Sequence, residues 1–473
     1  SISFTPRGSA VRARQRPPHF ETRSYSRGPD RPNSPELKRR AGASWDQVRE
    51  RGIRQTYDIA IIGCGPAGLA AALLLNTDGH AVTLFERFNE PKPLGSGLML
   101  QPSGMAVLDA MGLAHETAAR GARIDALFGM QEHGRTALDA PYAKLGKGEA
   151  FGIGIHRASL FGVLYEKVQA AGIAIRTGHE VRDTELESAA RRLLFADGSL
   201  SDRFDLVVDA SGWASRIEFG NNHGLLPFGA LWATIPVEPG DPHAKNLLEQ
   251  RYRRASQMAG VLPIGSRGGG LPQEVAFFWS LRRKDHGRWC TTPIDRWKAD
   301  VLELWPEIDF LLDRISSHED LTFARYAHRS AHRPYRERLV RIGDAWHSAS
   351  PQLGQGANMA LLDAWSLAAG LREGDSLRQG LRLSSGWRRD HVDLYQAVTY
   401  AFTPLFQSNN ALWPWLRDRI VAPLSRLGPV ARLQANLMSG LFGFPLPILG
   451  LDLPDYSAIA ASMAARASSP DQS

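Results

Sequence analysis

Apolar residues take up a regular spacing from about residue 56 onward, where they predict a strand, a helix and a second strand. Residues 57–62 (YDIAII) are rich in β-branched side chains and predict a buried parallel strand. An alanine- and leucine-rich run over residues 69–75 predicts the helix, and residues 81–85 predict the second strand. Because a strand, a helix and a strand follow one another directly, we expect an α/β fold built on a parallel sheet.

A glycine-rich turn joins the first predicted strand to the helix. Three glycines there have the spacing GxGxxG, and a carboxylate ends the second strand. In this pattern the first glycine permits a tight turn, the second lets backbone amides approach a pyrophosphate, and the third lets the helix pack closely on the strand. The pattern predicts a dinucleotide site formed by Gly63, Gly65, Pro66, Ala67 and Gly68, with Glu86 at a ribose and Arg87 beside it.

A second glycine-rich segment follows the apolar run at residues 338–342. Asp344 comes directly after this predicted strand, and a loop then leads into a helix predicted over residues 359–371. A carboxylate in this position can bind a polyol, and loop amides at a helix start can bind an anionic group. The candidate contacts are Asp344, Pro351, Gly354, Gln355, Gly356, Ala357 and Asn358.

Residues 343–358 (GDAWHSASPQLGQGAN) resemble the GD motif of the single-component FAD-dependent monooxygenases, the superfamily of aromatic hydroxylases and ubiquinone-ring hydroxylases. Residues 97–112 and the segment HRASL at residues 156–160 resemble further segments of that family, and the matches keep their order over residues 56–450. The resemblance implies FAD as the cofactor, with Arg157 approaching it. It also implies NADH or NADPH as a transient reductant and O2 as a co-substrate.

The third family segment departs from the usual pattern. Residues 209–212 read DASG, so Ser211 stands where the hydroxylases usually carry aspartate. This form is similar to flavin-dependent halogenases and some reductases. It leaves the reductant and the reaction open.

The resemblance also implies a layout for the whole chain. A Rossmann-like FAD-binding domain (residues 56–121, 150–216 and 335–380) is interleaved with a smaller antiparallel-sheet substrate domain (residues 122–149 and 217–334). A mainly helical C-terminal region, residues 381–473, follows. In this layout Trp232, Met258 and Phe278 line the substrate pocket, although each of them taken singly is more simply explained as an ordinary core side chain.

The expected activity is hydroxylation of an aromatic or quinone-like small molecule through a flavin C4a-hydroperoxide. A flavin-dependent halogenase and an FAD-bound partner protein without turnover remain alternatives. No catalytic side chain is assigned, since His347 in the glycine-rich segment is more simply explained as a packing residue.

The net charge of +7 is concentrated at the start of the chain. Residues 1–55 contain 13 Lys and Arg against five acids, so the remaining 418 residues sum to −1. The low apolar content of residues 1–55 predicts a disordered basic tail. Because the body is neutral, we expect no nucleic-acid partner.

Two cysteines, Cys64 and Cys290, are too few for a disulfide framework, which favours a cytoplasmic location. No clustered metal-ligand motif occurs, so no metal site is predicted. No apolar run is long enough for a transmembrane segment. Peripheral membrane contact and the oligomeric state are left open.

Overall fold

The computed structural model describes residues 55–91, 95–146, 148–217, 222–238, 240–241, 246–268, 271–408, 412–425 and 427–467. The predicted disordered tail, residues 1–55, therefore lies outside the described residues except for Gln55. The strands are β1 Asp58–Ile62, β2 Ala81–Phe85, β3 Gly97–Leu100, β4 Ala122–Ile124, β5 Ala126–Gln131, β6 Thr136–Pro141, β7 Gly152–His156, β8 Ala174–Arg176, β9 Val181–Glu187, β10 Ala190–Phe195, β11 Leu206–Asp209, β12 Asn222–Pro236, β13 Leu247–Arg253, β14 Gln257–Gly265, β15 Glu274–Arg282, β16 Thr322–Ser330, β17 Tyr335–Arg336 and β18 Leu339–Arg341.

The α-helices alternate with strands in the first part of the chain and occupy most of its end. They are α1 Pro66–Thr77, α2 Pro102–Ala110, α3 Ala114–Ala119, α4 Arg157–Ala170, α5 His286–Thr291, α6 Ile294–Leu304, α7 Asp309–Leu312, α8 Asp344–His347, α9 Gly356–Glu373, α10 Leu377–Phe406, α11 Leu412–Leu416, α12 Ala422–Leu424, α13 Gly428–Met438, α14 Pro445–Leu449 and α15 Tyr456–Ala467. A π-helical turn, Arg417–Val421, joins α11 to α12. Among the described residues, no helix combines the length and apolarity that crossing a bilayer requires.

A six-stranded sheet has the order β17-β18-β11-β1-β2-β8, and all neighbours except β17 and β18 run parallel. Ile62 at the end of β1 pairs with Phe85 of β2 and with Asp209 of β11. Asp209 in turn pairs with Arg341 of β18. The carboxyl ends of four strands therefore meet at one edge, which is where open α/β sheets bind ligands.

A seven-stranded sheet, β16-β12-β15-β14-β13-β5-β6, is antiparallel except for the pair β13 and β5. Its two faces pack into different cores because successive side chains of a strand point to opposite sides. Met258 and Phe278 face the core shared with the six-stranded sheet. Phe277 and Trp279 face a second core beneath α5, α6 and α7. The predicted mixed α/β fold is confirmed.

The long helices α9 and α10 pack closely because glycines lie where they cross. A Cβ on Gly370 of α9 would stand 2.6 Å from the carbonyl oxygen of Gly380 in α10. Helix α9 also packs on α1, which follows the first strand. Helix α10 is thereby fixed to the elements that surround the carboxyl edge of the parallel sheet.

Candidate active site

The glycine-rich turn after β1 has the geometry that its sequence predicts. Gly63 has a φ of 100°, and a Cβ on it would lie 2.8 Å from the carbonyl oxygen of Ala210. A Cβ on Gly68 would lie 2.0 Å from the carbonyl oxygen of Gly63, so only glycine lets α1 approach the strand this closely. A Cβ on Gly65, by contrast, would meet no atom within 4 Å. The turn is therefore closed on its protein side and open above Gly65.

Helix α1 begins at this open position. Pro66 occupies its first turn, and Gly65 as N-cap residue supplies no side-chain hydrogen bond to the helix. The first amides of a helix lack partners within the helix, and the helix dipole makes this end positive. The end of α1 can therefore bind an anionic group such as a phosphate.

Glu86 follows β2 and lies beside the turn. Its Oε2 accepts a hydrogen bond from the backbone amide of Cys64 at 2.9 Å, and its Oε1 accepts one from the amide of Phe88 at 3.2 Å. Burial, with the nearby Glu86 carboxylate, raises the pKa of the Cys64 thiol to about 12. The thiol therefore stays protonated and packs as a small buried side chain. Arg87 is exposed, with its guanidinium carbon 4.6 Å from the ring centre of Phe88.

Asp344 lies at the same edge, after β18. Gly343 has a φ of 59°, and the chain turns there into the short helix α8. Asp344 is exposed, whereas Ala345 and His347 of the same helix are buried. A Cβ on Gly356, the first residue of α9, would lie 3.9 Å from Oδ1 of Asp344. The structure therefore brings the predicted carboxylate next to the start of the second predicted helix.

A buried carboxylate on α9 fixes the backbone before Asp344. Asp363 Oδ2 accepts hydrogen bonds from the Gly343 amide at 2.8 Å and from His347 Nε2 at 2.5 Å. Its Oδ1 accepts one from Arg388 Nε of α10 at 2.8 Å. Burial alone would raise the pKa of Asp363, but His347 and Arg388 overcome it and lower the pKa to about 2. Asp363 is therefore ionised, and His347 serves to hold the loop.

The same cluster extends toward the C-terminal helices through His391. Arg388 Nη1 donates to His391 Nδ1 at 2.7 Å, and His391 Nε2 donates to the carbonyl oxygen of Gly440 at 3.3 Å. Burial and the positive charge of Arg388 lower the pKa of His391 to about 2. His391 is therefore neutral and carries its proton on Nε2.

Two side chains of the glycine-rich loop point into the protein. Asn358 Oδ1 accepts from the Gln101 amide at 2.8 Å, and its Nδ2 donates to the carbonyl oxygen of Met99 at 3.1 Å. Gln355 Nε2 donates to the carbonyl oxygen of Met438 at 2.7 Å. These two side chains hold the loop in place and are buried, whereas Pro351 and Gly356 of the same loop are exposed.

Several buried polar groups near this edge have no hydrogen-bond partner among the described residues. They are Gln101 Nε2, Ser348 Oγ, Ser350 Oγ and Gln352 Nε2. Gln101 Nε2 would lie 3.8 Å from a Cβ on Gly354, beside the loop. All four atoms can donate a hydrogen bond. This donor set and the space above Gly65 fit FAD, whose phosphates, ribityl chain and ring carbonyls are acceptors.

The DASG segment forms a closed hydrogen-bond cluster. Ser211 Oγ donates to Asp209 Oδ1 at 2.6 Å, and Ser215 Oγ donates to Asp209 Oδ2 at 2.6 Å. Arg341 Nε also donates to Oδ2 at 3.2 Å. Asp209 is fully buried, so each of these donors offsets the cost of burying its charge. Ser211 therefore has a structural role in this chain.

The predicted substrate residues lie on the inner face of the seven-stranded sheet. The rings of Trp232 and Phe278 are 4.8 Å apart, and Gly260 leaves room for Phe278 because a Cβ there would lie 2.1 Å from its ring. Trp232 Nε1 donates to the hydroxyl of Tyr326 at 2.9 Å. We call Trp232, Met258, Phe278 and Tyr326 the aromatic wall.

Arg157 begins α4 at the end of the aromatic wall near Tyr326. It is exposed, and its Cδ lies 2.9 Å from the place a Cβ on Gly95 would take. Burial raises the pKa of Tyr326 to about 12, against the opposing influence of the Trp232 hydrogen bond and the Arg157 charge. Tyr326 is therefore a protonated phenol in contact with Trp232.

Sequence reasoning missed Tyr326, Asp363, Arg388 and Gln101. Asp363 and Arg388 are separated by 25 positions, and no motif marks them as partners. Tyr326 could have been found from its strand, β16. Ala327 and Arg329 are buried on one face of this strand, so Tyr326 lies on the other face.

Residues 56–377 match a protein-family model described as FAD binding domain. The chain is 28% identical over 383 residues to 6-methylpretetramide 4-monooxygenase of Streptomyces rimosus, covering 78% of this chain and 89% of the relative. It is 30% identical over 339 residues to 3-amino-4-hydroxybenzoate 2-monooxygenase of Streptomyces cremeus, covering 65% of this chain and 77% of the relative.

Solved structures show the same fold. A tetrameric form of 2-methyl-3-hydroxypyridine-5-carboxylic acid oxygenase aligns with a TM-score of 0.65 at 21% identity, covering 79% of this chain and 98% of its own. Klebsiella pneumoniae HpxO complexed with FAD and uric acid aligns with a TM-score of 0.66 at 18% identity, covering 84% of this chain and 98% of its own.

Proposed function

The chain belongs to the FAD binding domain family and is a single-component FAD-dependent monooxygenase, and on this basis we propose that it hydroxylates an aromatic or quinone-like small molecule with NADH or NADPH and O2. The observation that supports this most is the meeting of Gly65, Glu86 and Asp344 at one sheet edge, next to the donor set described above.

We assign the cofactor contacts to three groups of residues. The backbone of Gly63, Gly65, Pro66, Ala67 and Gly68 would hold the pyrophosphate, with Glu86 and Arg87 at the adenosine ribose. Asp344 would accept from the ribityl hydroxyls, and Arg157 would approach the cofactor from α4. The loop residues Pro351, Gly354, Gln355, Gly356, Ala357 and Asn358 would border the flavin ring, and the first amides of α9, from Gly356 onward, would donate to it.

When bound and reduced, FAD supplies the activation of O2 that this family uses. The chain's own task is then to hold an aromatic ring and keep water away from it. Trp232, which is only partly buried and packs on Phe278, offers apolar surface for stacking, and the Tyr326 hydroxyl fixes its ring. The positive end of α9, beside Asp344, favours negative charge on whatever binds there.

The halogenase alternative depended on the DASG segment. Ser211 is bonded to Asp209, which accounts for a serine at this position without reference to the reaction. The relatives named above are monooxygenases. Hydroxylation is therefore the better-supported reaction.

The test is turnover of FAD-loaded protein with a panel of phenols, quinones and hydroxylated heteroaromatic acids. We expect at least one compound to stimulate NADH or NADPH oxidation and to gain one atom from isotopically labelled O2. Asp344→Ala should lose FAD and turnover together, whereas Asp197→Asn, at an exposed turn, should keep both. Halide-dependent product would indicate a halogenase instead. Bound FAD without stimulated turnover would indicate a non-catalytic partner protein.

A further inference from the structure

Large apolar side chains are exposed mainly on the C-terminal helices. Of the fourteen that the described residues expose, nine lie at or after Tyr400. Six of them fall between residues 412 and 433, with exposed fractions of 42–59%: Leu412, Trp415, Ile420, Leu424, Leu427 and Leu433. We call this set, with the exposed Arg419 and Arg432, the 412–433 surface. Clustered exposure of this kind indicates an interaction site.

The first five apolar residues of the 412–433 surface recur at steps of three to five positions, as on one side of a helix. The five-residue step, from Trp415 to Ile420, crosses the π-helical turn Arg417–Val421. A π turn closes its hydrogen bonds over five residues, so this step returns to the same side. Leu412, Trp415, Ile420 and Leu424 thus form one apolar stripe along α11, the π turn and α12, and Leu427 and Leu433 extend the surface to the start of α13 and into it.

The opposite side of this helical segment is anchored by Arg417. Its side chain is fully buried, and Nη1 donates to the carbonyl oxygens of Arg254 at 3.0 Å and Leu405 at 3.2 Å. Its guanidinium carbon lies 5.2 Å from the ring centre of Tyr252 and 5.5 Å from that of Phe406. The stripe is therefore held outward by the fold, since its other side is occupied.

The charges within residues 412–433 are mostly positive, and Glu132, which lines a cleft with Trp415, is paired with Arg253. Residues 412–433 contain four arginines and one acid, Asp418, which pairs with Arg417 Nε at 2.7 Å. The exposed cations Arg419 and Arg432 flank the apolar residues. Two copies of this surface placed face to face would bring like charges together, which disfavours self-association. A partner with an apolar layer beneath a negatively charged exterior complements the 412–433 surface better than a second copy does.

We propose that the 412–433 surface docks on an anionic phospholipid membrane. The apolar stripe lies at the boundary between headgroups and acyl chains, and the two arginines contact lipid phosphates. Tyr252, which the anchoring Arg417 covers, pairs across strands with Met258 of the aromatic wall. The docked side of the protein therefore adjoins the proposed substrate side. The membrane contact does not depend on the proposed reaction.

The first test is flotation of the full chain with vesicles. We expect binding to vesicles of phosphatidylcholine mixed with phosphatidylglycerol to exceed binding to phosphatidylcholine alone by about tenfold or more. The double variant Trp415→Ser, Leu424→Ser should lose this binding and retain FAD. The matched control Leu186→Ser, Leu271→Ser removes equally exposed leucines elsewhere and should bind as wild type. Equal binding by the first double variant would overturn the proposal.

The basic residues 1–55 could bind the same vesicles, so a second test reports on the 412–433 surface alone. Vesicles with brominated acyl chains should quench part of the tryptophan fluorescence of the wild type. The double variant Trp413→Phe, Trp415→Phe should remove most of this quenching, whereas Trp213→Phe, which removes an exposed tryptophan elsewhere, should leave it intact. Undiminished quenching in the double variant, or a dimer that the Trp415→Ser, Leu424→Ser variant dissociates, would show that the surface does not contact lipid.

Discussion

Replacement of Asp363 by asparagine tests whether the buried carboxylate holds the loop that carries Asp344. The wild-type side chain accepts hydrogen bonds from Gly343, His347 and Arg388. Asparagine keeps one acceptor oxygen, presents an NH2 group to donors and leaves the Arg388 charge without its counter-ion. Breaking a buried pair in this way costs about 3–5 kcal/mol. The lowered pKa of Asp363 gives a similar figure, roughly 2–3 kcal/mol for a shift from 3.8 to about 2.

We therefore expect Asp363→Asn to lower the free energy of unfolding in urea by about 3 kcal/mol, a large part of the roughly 5–15 kcal/mol of a typical protein. FAD affinity should fall as well, because the Gly343 amide loses its acceptor. Asp197→Asn, in an exposed turn, serves as the control and should leave the urea midpoint unchanged. A loss below about 1 kcal/mol for Asp363→Asn, with normal FAD content, would refute the reasoning.

Three further changes test other parts of the site. Gly65→Ala should fold normally, since its Cβ meets no atom within 4 Å, yet bind FAD more weakly in titrations; unchanged affinity would place the phosphates elsewhere. Ser211→Asp should destabilise the protein by about 1–3 kcal/mol in urea, because it sets a carboxylate against Asp209, whereas Ser211→Asn should cost less. The pKa of His391 is lowered, so the unfolded state binds its proton first and stability should fall by about 1.4 kcal/mol per pH unit below about pH 6.5. His391→Gln should make this decline shallower in urea midpoints measured across pH, and an unaltered slope would contradict the assignment.

The sequence predicted the structure best where one short contiguous segment contains all the residues that determine the local conformation. The turn at Gly63 and the placement of Glu86 after β2 follow from spacing alone, because the strand, turn and helix are contiguous. The family, its monooxygenase class and FAD were inferred correctly from such segments. The exact cofactor and substrate contacts and the domain boundaries stay predictions.

Long-range pairings could not be read in the same way. Arg388 lies in an amphipathic helix where an arginine is normally a solvated residue, and only the packing of α10 on α9 buries it against Asp363. Likewise Gln355 stands in the loop sequence that suggests a cofactor contact, yet its amide donates to Met438 far along the chain. Pairing over such distances depends on how helices pack, which residue spacing does not encode.

The contact between Arg388 and Asp363 sets a limit on recombining this protein with its relatives. The family match ends at residue 377, so a crossover there would separate the carboxylate from its guanidinium and from His391. A chimera that takes its C-terminal helices from another monooxygenase would inherit an unneutralised buried charge unless the donor supplies an equivalent arginine. Crossovers should therefore be placed before α8 or after α13, so that His347, Asp363 and Arg388 all come from one parent.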